Sequence, residues 1–90
     1  MKQDKVRYIY ISNIKMDNWP LNPSTLDLAI KIRNRQLDPN SLPPIKVMLL
    51  DNGQYLIRDG RHRVAAFKLN GIKQIKAYVY RPLPRKNAQE

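Results

Sequence analysis

The chain has 90 residues, 42% of them apolar, enough for one small core and short of two. It has no cysteine and one histidine, which excludes disulfides, thiolate catalysis, cysteine zinc sites and, within one chain, a histidine-rich metal site. The formal net charge of +10, from 17 basic and 7 acidic residues, points to polyanionic partners, nucleic acid or nucleotides, with a merely soluble basic protein as the bland alternative.

No apolar run reaches the length of a membrane span. The polar start, Met1 to Lys5, lacks the uncharged apolar stretch of a signal peptide. A cytoplasmic protein with no membrane partner is therefore expected, with a frayed N-terminus. Val6 to Ile11 alternates as a strand. Ser12 to Asn22 reads as a loop, with Ile14 and Met16 turned inward. Trp19 either anchors that loop on the core, the commoner role, or offers a ring for a base to stack on.

Asn22-Pro23 is a helix start, a capping side chain followed by proline at the first helical position. The expected apolar stripe is Leu26, Ala29, Ile30 and Leu37, widened by Leu28 and Ile32, with the helix ending at Asp38-Pro39-Asn40. Lys31, Arg33 and Arg35 fall mostly on its wet side. Leu42-Pro43-Pro44 leads out as an extended segment. Ile45 to Leu50 is a second strand, Asp51-Asn52-Gly53 a hairpin turn, and Tyr55 to Arg58 the antiparallel return. A helix follows from Arg63 to Leu69, stopped at Asn70-Gly71. Ile75 to Tyr80 is the last strand. The expected architecture is α+β, a small mixed or antiparallel sheet of about four strands with two main helices. Residues 1–80 form one domain in this reading, and residues 81–90 a polar, proline-bearing tail. There is no internal repeat.

Chemistry concentrates between the third strand and the second helix. Asp59-Gly60 breaks the strand, and Arg58, Arg61, His62 and Arg63 crowd the turn. A helix start has unpaired N–H groups and partial positive charge, so it suits an anion. Gly60 lets the backbone turn and an anion approach the peptide. Arg63 offers a planar fork for phosphate oxygens, and His62 can donate to phosphate or carry a proton. Asp59 repels phosphate unless it holds a magnesium ion that bridges to it, or orients His62 or a substrate hydroxyl. The same residues also fit a bare turn, with Asp59 as a helix cap and the arginines as ordinary surface. Spacing alone leaves both readings open.

Asp59-Gly60-Arg61-His62-Arg63, followed by Ala65-Ala66 and Gly71, resembles the signature of the ParB/sulfiredoxin superfamily. ParB members carry Gly-Glu-Arg-Arg there, sulfiredoxins Gly-Cys-His-Arg, and the free serine kinases Asp-Gly-His-His-Arg. Asp38 to Val47 is similar to the sulfiredoxin segment that enters the central strand, and the likeness spans residues 26–80. It implies a ParB/sulfiredoxin-like fold and a nucleotide phosphate site, for ATP or CTP, on Gly60, Arg61, His62 and Arg63. Asp59 and His62 would be the catalytic candidates, with Asp59 the candidate magnesium ligand. Arg61 stands where the sulfiredoxin cysteine would be, so repair of oxidised peroxiredoxin is excluded. The ParB glutamate is missing, and these 90 residues have no room for the ParB helix-turn-helix domain. Lys15 and Lys31 are the candidates for a basic residue from the N-terminal half, and Asp17 for a second carboxylate.

Three functions follow as expectations. The first is a ParB-like nucleotide-binding domain in plasmid or chromosome maintenance or regulation, with nucleic acid as partner and a homodimer as a plausible assembly. The second is an enzyme on the same site, a nuclease or small-molecule phosphotransferase. The third is a sequence-independent DNA-binding protein whose corner grips backbone phosphate.

Overall fold

A computed structural model describes residues 2–82, with side chains from residue 6 onward. In chain order the elements are β1 (Lys2–Tyr10), β2 (Ile14–Lys15), α1 (Pro23–Arg33), β3 (Ile45–Leu49), β4 (Tyr55–Asp59), α2 (Arg61–Leu69) and β5 (Gln74–Arg81). The strands form one mixed sheet in the order β1-β5-β3-β4-β2. The α+β architecture is as expected, with five strands where about four were predicted. β5 lies between β1, antiparallel to it, and β3, parallel to it. β3 and β4 form the antiparallel hairpin, Val47 opposite Ile57.

Alternation along the strands decides which face is covered. In β5, Ile75, Ala77 and Val79 are buried while Lys76, Tyr78 and Tyr80 between them are half-buried. Val79 aligns with Val47, and Val47 with Ile57, so one apolar face runs across three strands. Both helices cover it: Val64, Ala66 and Phe67 of α2 and Ala29 and Ile32 of α1 share one cluster with Ile9, Ile45, Val47, Ile75, Ala77 and Val79. Each fully buried Ile or Val contributes about 1.5–3 kcal/mol, so this layer holds the fold together. Ala66 is fully buried, and its small side chain lets α2 lie close to the sheet.

Four expectations need correction. β1 starts at Lys2, not Val6, because the polar N-terminal residues continue pairing with β5 through backbone bonds beyond a bulge. The predicted loop contains β2, whose Ile14 and Lys15 pair in parallel with Tyr55 and Leu56 of β4. Ile14 is buried and Met16 half-buried, as expected. α1 ends at Arg33 rather than near Asp38, because Arg35 takes a left-handed conformation at φ 60°. Its N–H donates to the Ile32 carbonyl, and Gln36 N–H to that of Lys31, which closes the helix end. Finally, α1 buries Thr25, Ala29 and Ile32, while Leu26 and Ile30 are 44% and 53% exposed. The helix is rotated toward Thr25, whose hydroxyl is hydrogen-bonded to its neighbours.

Among the described residues no helix is long and apolar enough to cross a membrane. β5 runs through Arg81, and residues 83–90 of the predicted tail lie outside the described part.

A candidate phosphate corner at the start of α2

Gly60 joins β4 to α2 at φ 108° and ψ 23°, and it is the N-cap of α2. With no side chain it caps nothing, so the first-turn N–H groups of Arg61, His62 and Arg63 have no side-chain cap. They open into a concavity of about 270 Å³ lined by residues 58–63. The space a Gly60 Cβ would need is filled by Ile45, whose Cγ2 would collide with it and whose Cβ would lie 2.9 Å away. The glycine is thus required by the packing of β3 as well as by its own backbone angle.

The three basic residues after Gly60 are each tied to a different part of the chain. Arg61 Nη2 donates to the Asn18 carbonyl at 2.6 Å, which brings the loop carrying Asp17 and Asn18 beside the corner. His62 Nδ1 lies 2.7 Å from the buried Thr25 hydroxyl, and that hydroxyl lies 3.2 Å from Asn22 Oδ1. Asn22 Oδ1 also accepts from the Thr25 N–H, capping α1 as predicted. Arg63 Nη1 donates to the Pro43 carbonyl at 2.7 Å and the Pro44 carbonyl at 3.3 Å. Its Nη2 meets Asp59 Oδ2 at 3.3 Å, with the Arg63 side chain 19% exposed and that of Asp59 62% exposed. The structure therefore brings Asp59, Gly60, Arg61, His62 and Arg63 together at one helix start.

The His62–Thr25 contact joins the starts of both helices, and Asn70 Nδ2 reaches the Ala29 carbonyl at 3.1 Å farther along them. The helices thus run in the same general sense, with the start of α1 beside the start of α2. Their dipoles add partial positive charge there. A second concavity of about 290 Å³, with Tyr10, Lys68 and Lys73 on its walls, lies at the other end of α2. There the helix presents carbonyls rather than N–H groups, the wrong polarity for an anion.

Among the other predicted contributors, Lys31 pairs with Asp27 at 3.1 Å on α1. Lys15 lies on β2 beside Leu56. Trp19 is half-buried against the core, as expected of an anchor, with Lys68 Nζ 4.8 Å from its ring centroid. No group of three or more histidine, cysteine, aspartate or glutamate side chains is gathered for a metal among the described residues.

The model of the ParB N-terminal domain matches residues 1–89. The chain belongs to that family. This ParB N-terminal domain is similar in fold to sulfiredoxin from Arabidopsis thaliana, at 20% identity and a TM-score of 0.67, covering 88% of each chain. It is similar to the C-terminally truncated chromosome-partitioning protein ParB from Caulobacter crescentus, in a complex with CTP-γ-S, at 23% identity and a TM-score of 0.66. A conserved hypothetical protein from Pyrococcus furiosus gives 18% identity and a TM-score of 0.71. The match covers 89% of this chain and 46% of the Caulobacter ParB, and 93% of this chain and 35% of the Pyrococcus protein. This ParB N-terminal domain thus spans less than half of either protein. No curated protein matches.

Sequence reading missed the partners that fix this domain's corner: Asn18, Thr25, and the carbonyls of Pro43 and Pro44. Three of the four are met through backbone oxygens, which carry no residue signature. Thr25 was hidden because a lone threonine beside a helix cap reads as helix surface.

Proposed function

We propose that this ParB N-terminal domain binds the phosphates of a nucleoside triphosphate, CTP or ATP, in the Gly60 corner. Its role would lie in partition-type maintenance or regulation of DNA. The observation that carries this is the uncapped start of α2: three unclaimed N–H groups open into a concavity edged by Arg61, His62 and Arg63. The CTP-γ-S complex of the Caulobacter ParB supports the same chemistry. In this reading the N–H groups of residues 61–63 take phosphate oxygens, and Arg61 adds charge from the Asn18 side. Arg63 holds the wall by tying Pro43, Pro44 and Asp59 together. Because Thr25 engages His62 Nδ1, the ring is oriented and Nε2 is the atom left to meet phosphate. A magnesium ion would find Asp59 as its protein carboxylate, with phosphate and water completing its oxygen shell.

Thermal unfolding tests the proposal. At a nucleotide concentration of 100 times Kd the stabilisation is about 2.7 kcal/mol, a Tm rise on the order of 10 °C for a domain this small. Arg61→Ala should reduce the rise obtained with CTP or ATP. If CTP, ATP, ADP and pyrophosphate all leave Tm unchanged, the corner is a bare turn. A phosphotransferase or nuclease reading is favoured by one further observation, the exposure of the Asp59 carboxylate beside the concavity. It requires that Asp59→Ala abolish magnesium-dependent turnover and keep phosphate binding; activity insensitive to Asp59 would reject it.

A further inference from the structure

Strand register places a second set of residues on the sheet face turned away from the helices. Val6 stands opposite Tyr78, Tyr8 opposite Lys76 and Tyr10 opposite Gln74. Tyr78 lies beside Lys46 and Tyr80 beside Met48. Met48 in turn lies beside Leu56, and Leu56 beside Lys15. None of these side chains is buried, and Tyr8 and Tyr10 are 55% and 54% exposed. Met48, Leu56, Tyr78 and Tyr80 take no part in the core cluster. Both helices pack on the opposite face, so among the described residues no helix covers this one.

We infer that this open sheet face binds single-stranded nucleic acid. Two pairs of tyrosines, Tyr8 and Tyr10 on β1 and Tyr78 and Tyr80 on β5, stand on adjacent strands with lysines among them. Rings on such a surface stack unpaired bases of any sequence, while neighbouring cations follow the phosphate backbone. The side chains of Lys15 and Lys46 are exposed and make no hydrogen bond or ion pair among the described residues. At one rim Lys76 Nζ donates to the Asn40 carbonyl at 2.6 Å, and Tyr8 Oη lies 3.5 Å from Asn40 Oδ1. This orients the Tyr8–Lys76 pair. Among the described side chains the one carboxylate paired with a residue of this face is Asp59, opposite Lys46 at the bulged end of β4, and it is held by Arg63.

The occupant follows from charge and base geometry. A second copy of the chain carries the same +10 and is repelled. A duplex keeps its bases stacked on one another and offers only backbone and groove edges. A single strand presents both phosphates and free base faces. The inference does not rest on nucleotide binding at the Gly60 corner, and its test uses residues outside that corner.

Fluorescence anisotropy with a labelled oligothymidylate of about 20 nucleotides, and with a duplex of equal length, reads the binding. The single strand should bind more tightly than the duplex, with affinity falling as salt rises. Replacing Tyr8 and Tyr10 together by Ala, or Tyr78 and Tyr80 together by Ala, should weaken binding about tenfold or more, and the matching Phe pairs should restore it. Lys15→Glu with Lys46→Glu should weaken it further and flatten the salt dependence. The inference is overturned if no single strand binds at low salt, or if duplex and single strand bind equally and both Ala pairs are neutral. It is also overturned if sedimentation shows a dimer of the whole chain, dissociated by the Tyr8 and Tyr10 substitutions, that excludes the oligonucleotide.

Discussion

Gly60 shows how one residue can serve fold and site together. Its φ of 108° is strained for any L side chain, and Ile45 fills the place where a Cβ would sit. Gly71, at φ 70° after α2, has nothing within 4 Å of its Cβ position. Gly71→Ala should therefore meet the backbone term alone, about 1–2 kcal/mol. Gly60→Ala should cost more, because about 1–3 kcal/mol of backbone strain is joined by the collision with a fully buried isoleucine. Urea unfolding of the two variants measures the difference, and equal costs would show that the Ile45 contact does not constrain the turn. The turn at Asp59-Gly60 was legible because glycine, aspartate and a following helical pattern speak locally, although the helix begins at Arg61 rather than at the expected Arg63. The Ile45 contact was not, since it depends on a strand fifteen residues earlier in the chain.

At the scale of the element, the helix ends differ instructively. Both close with the same pair of reverse hydrogen bonds: Gly71 to Lys68 and Ile72 to Phe67 after α2, Arg35 to Ile32 and Gln36 to Lys31 after α1. The first was readable because glycine stands at the left-handed position. The second was not, because an arginine stands there and the apolar pattern of the sequence runs on to Leu37. Arg35→Gly should raise stability by about 1 kcal/mol by relieving that conformation, as read from the urea midpoint. An unchanged or lowered midpoint would mean that Arg35 is not left-handed in solution. The face of α1 makes a second contrast. Leu26→Gln and Ile30→Gln should each stay within about 0.5 kcal/mol of the parent, since both side chains are exposed. Ile32→Ala should lose about 2–5 kcal/mol, since Ile32 lies in the core. The reverse order would return Leu26 and Ile30 to the buried face. The stripe held at Leu28, Ala29, Ile32 and Leu37 and missed at Leu26 and Ile30, because threonine was counted as polar surface, whereas a hydroxyl with two partners can be buried.

For the whole molecule, one apolar sheet face under two helices accounts for the fold, and it was largely visible in strand alternation and in the Asn-Gly hairpin. The two-residue β2 was invisible because periodicity needs more residues than it has. What the chain order could not show is that the starts of α1 and α2 meet, through Thr25 and His62, at the corner where the basic residues gather. That convergence, beside the uncapped start of α2, is the centre of the functional account. The most direct test is an amide NMR titration of the whole chain with CTP, repeated with pyrophosphate. The account predicts that the N–H signals of Arg61, His62 and Arg63 shift with both ligands and saturate together. Saturating shifts confined to other residues, or no shifts at millimolar ligand on the scale of about −4 kcal/mol of binding energy, would contradict it.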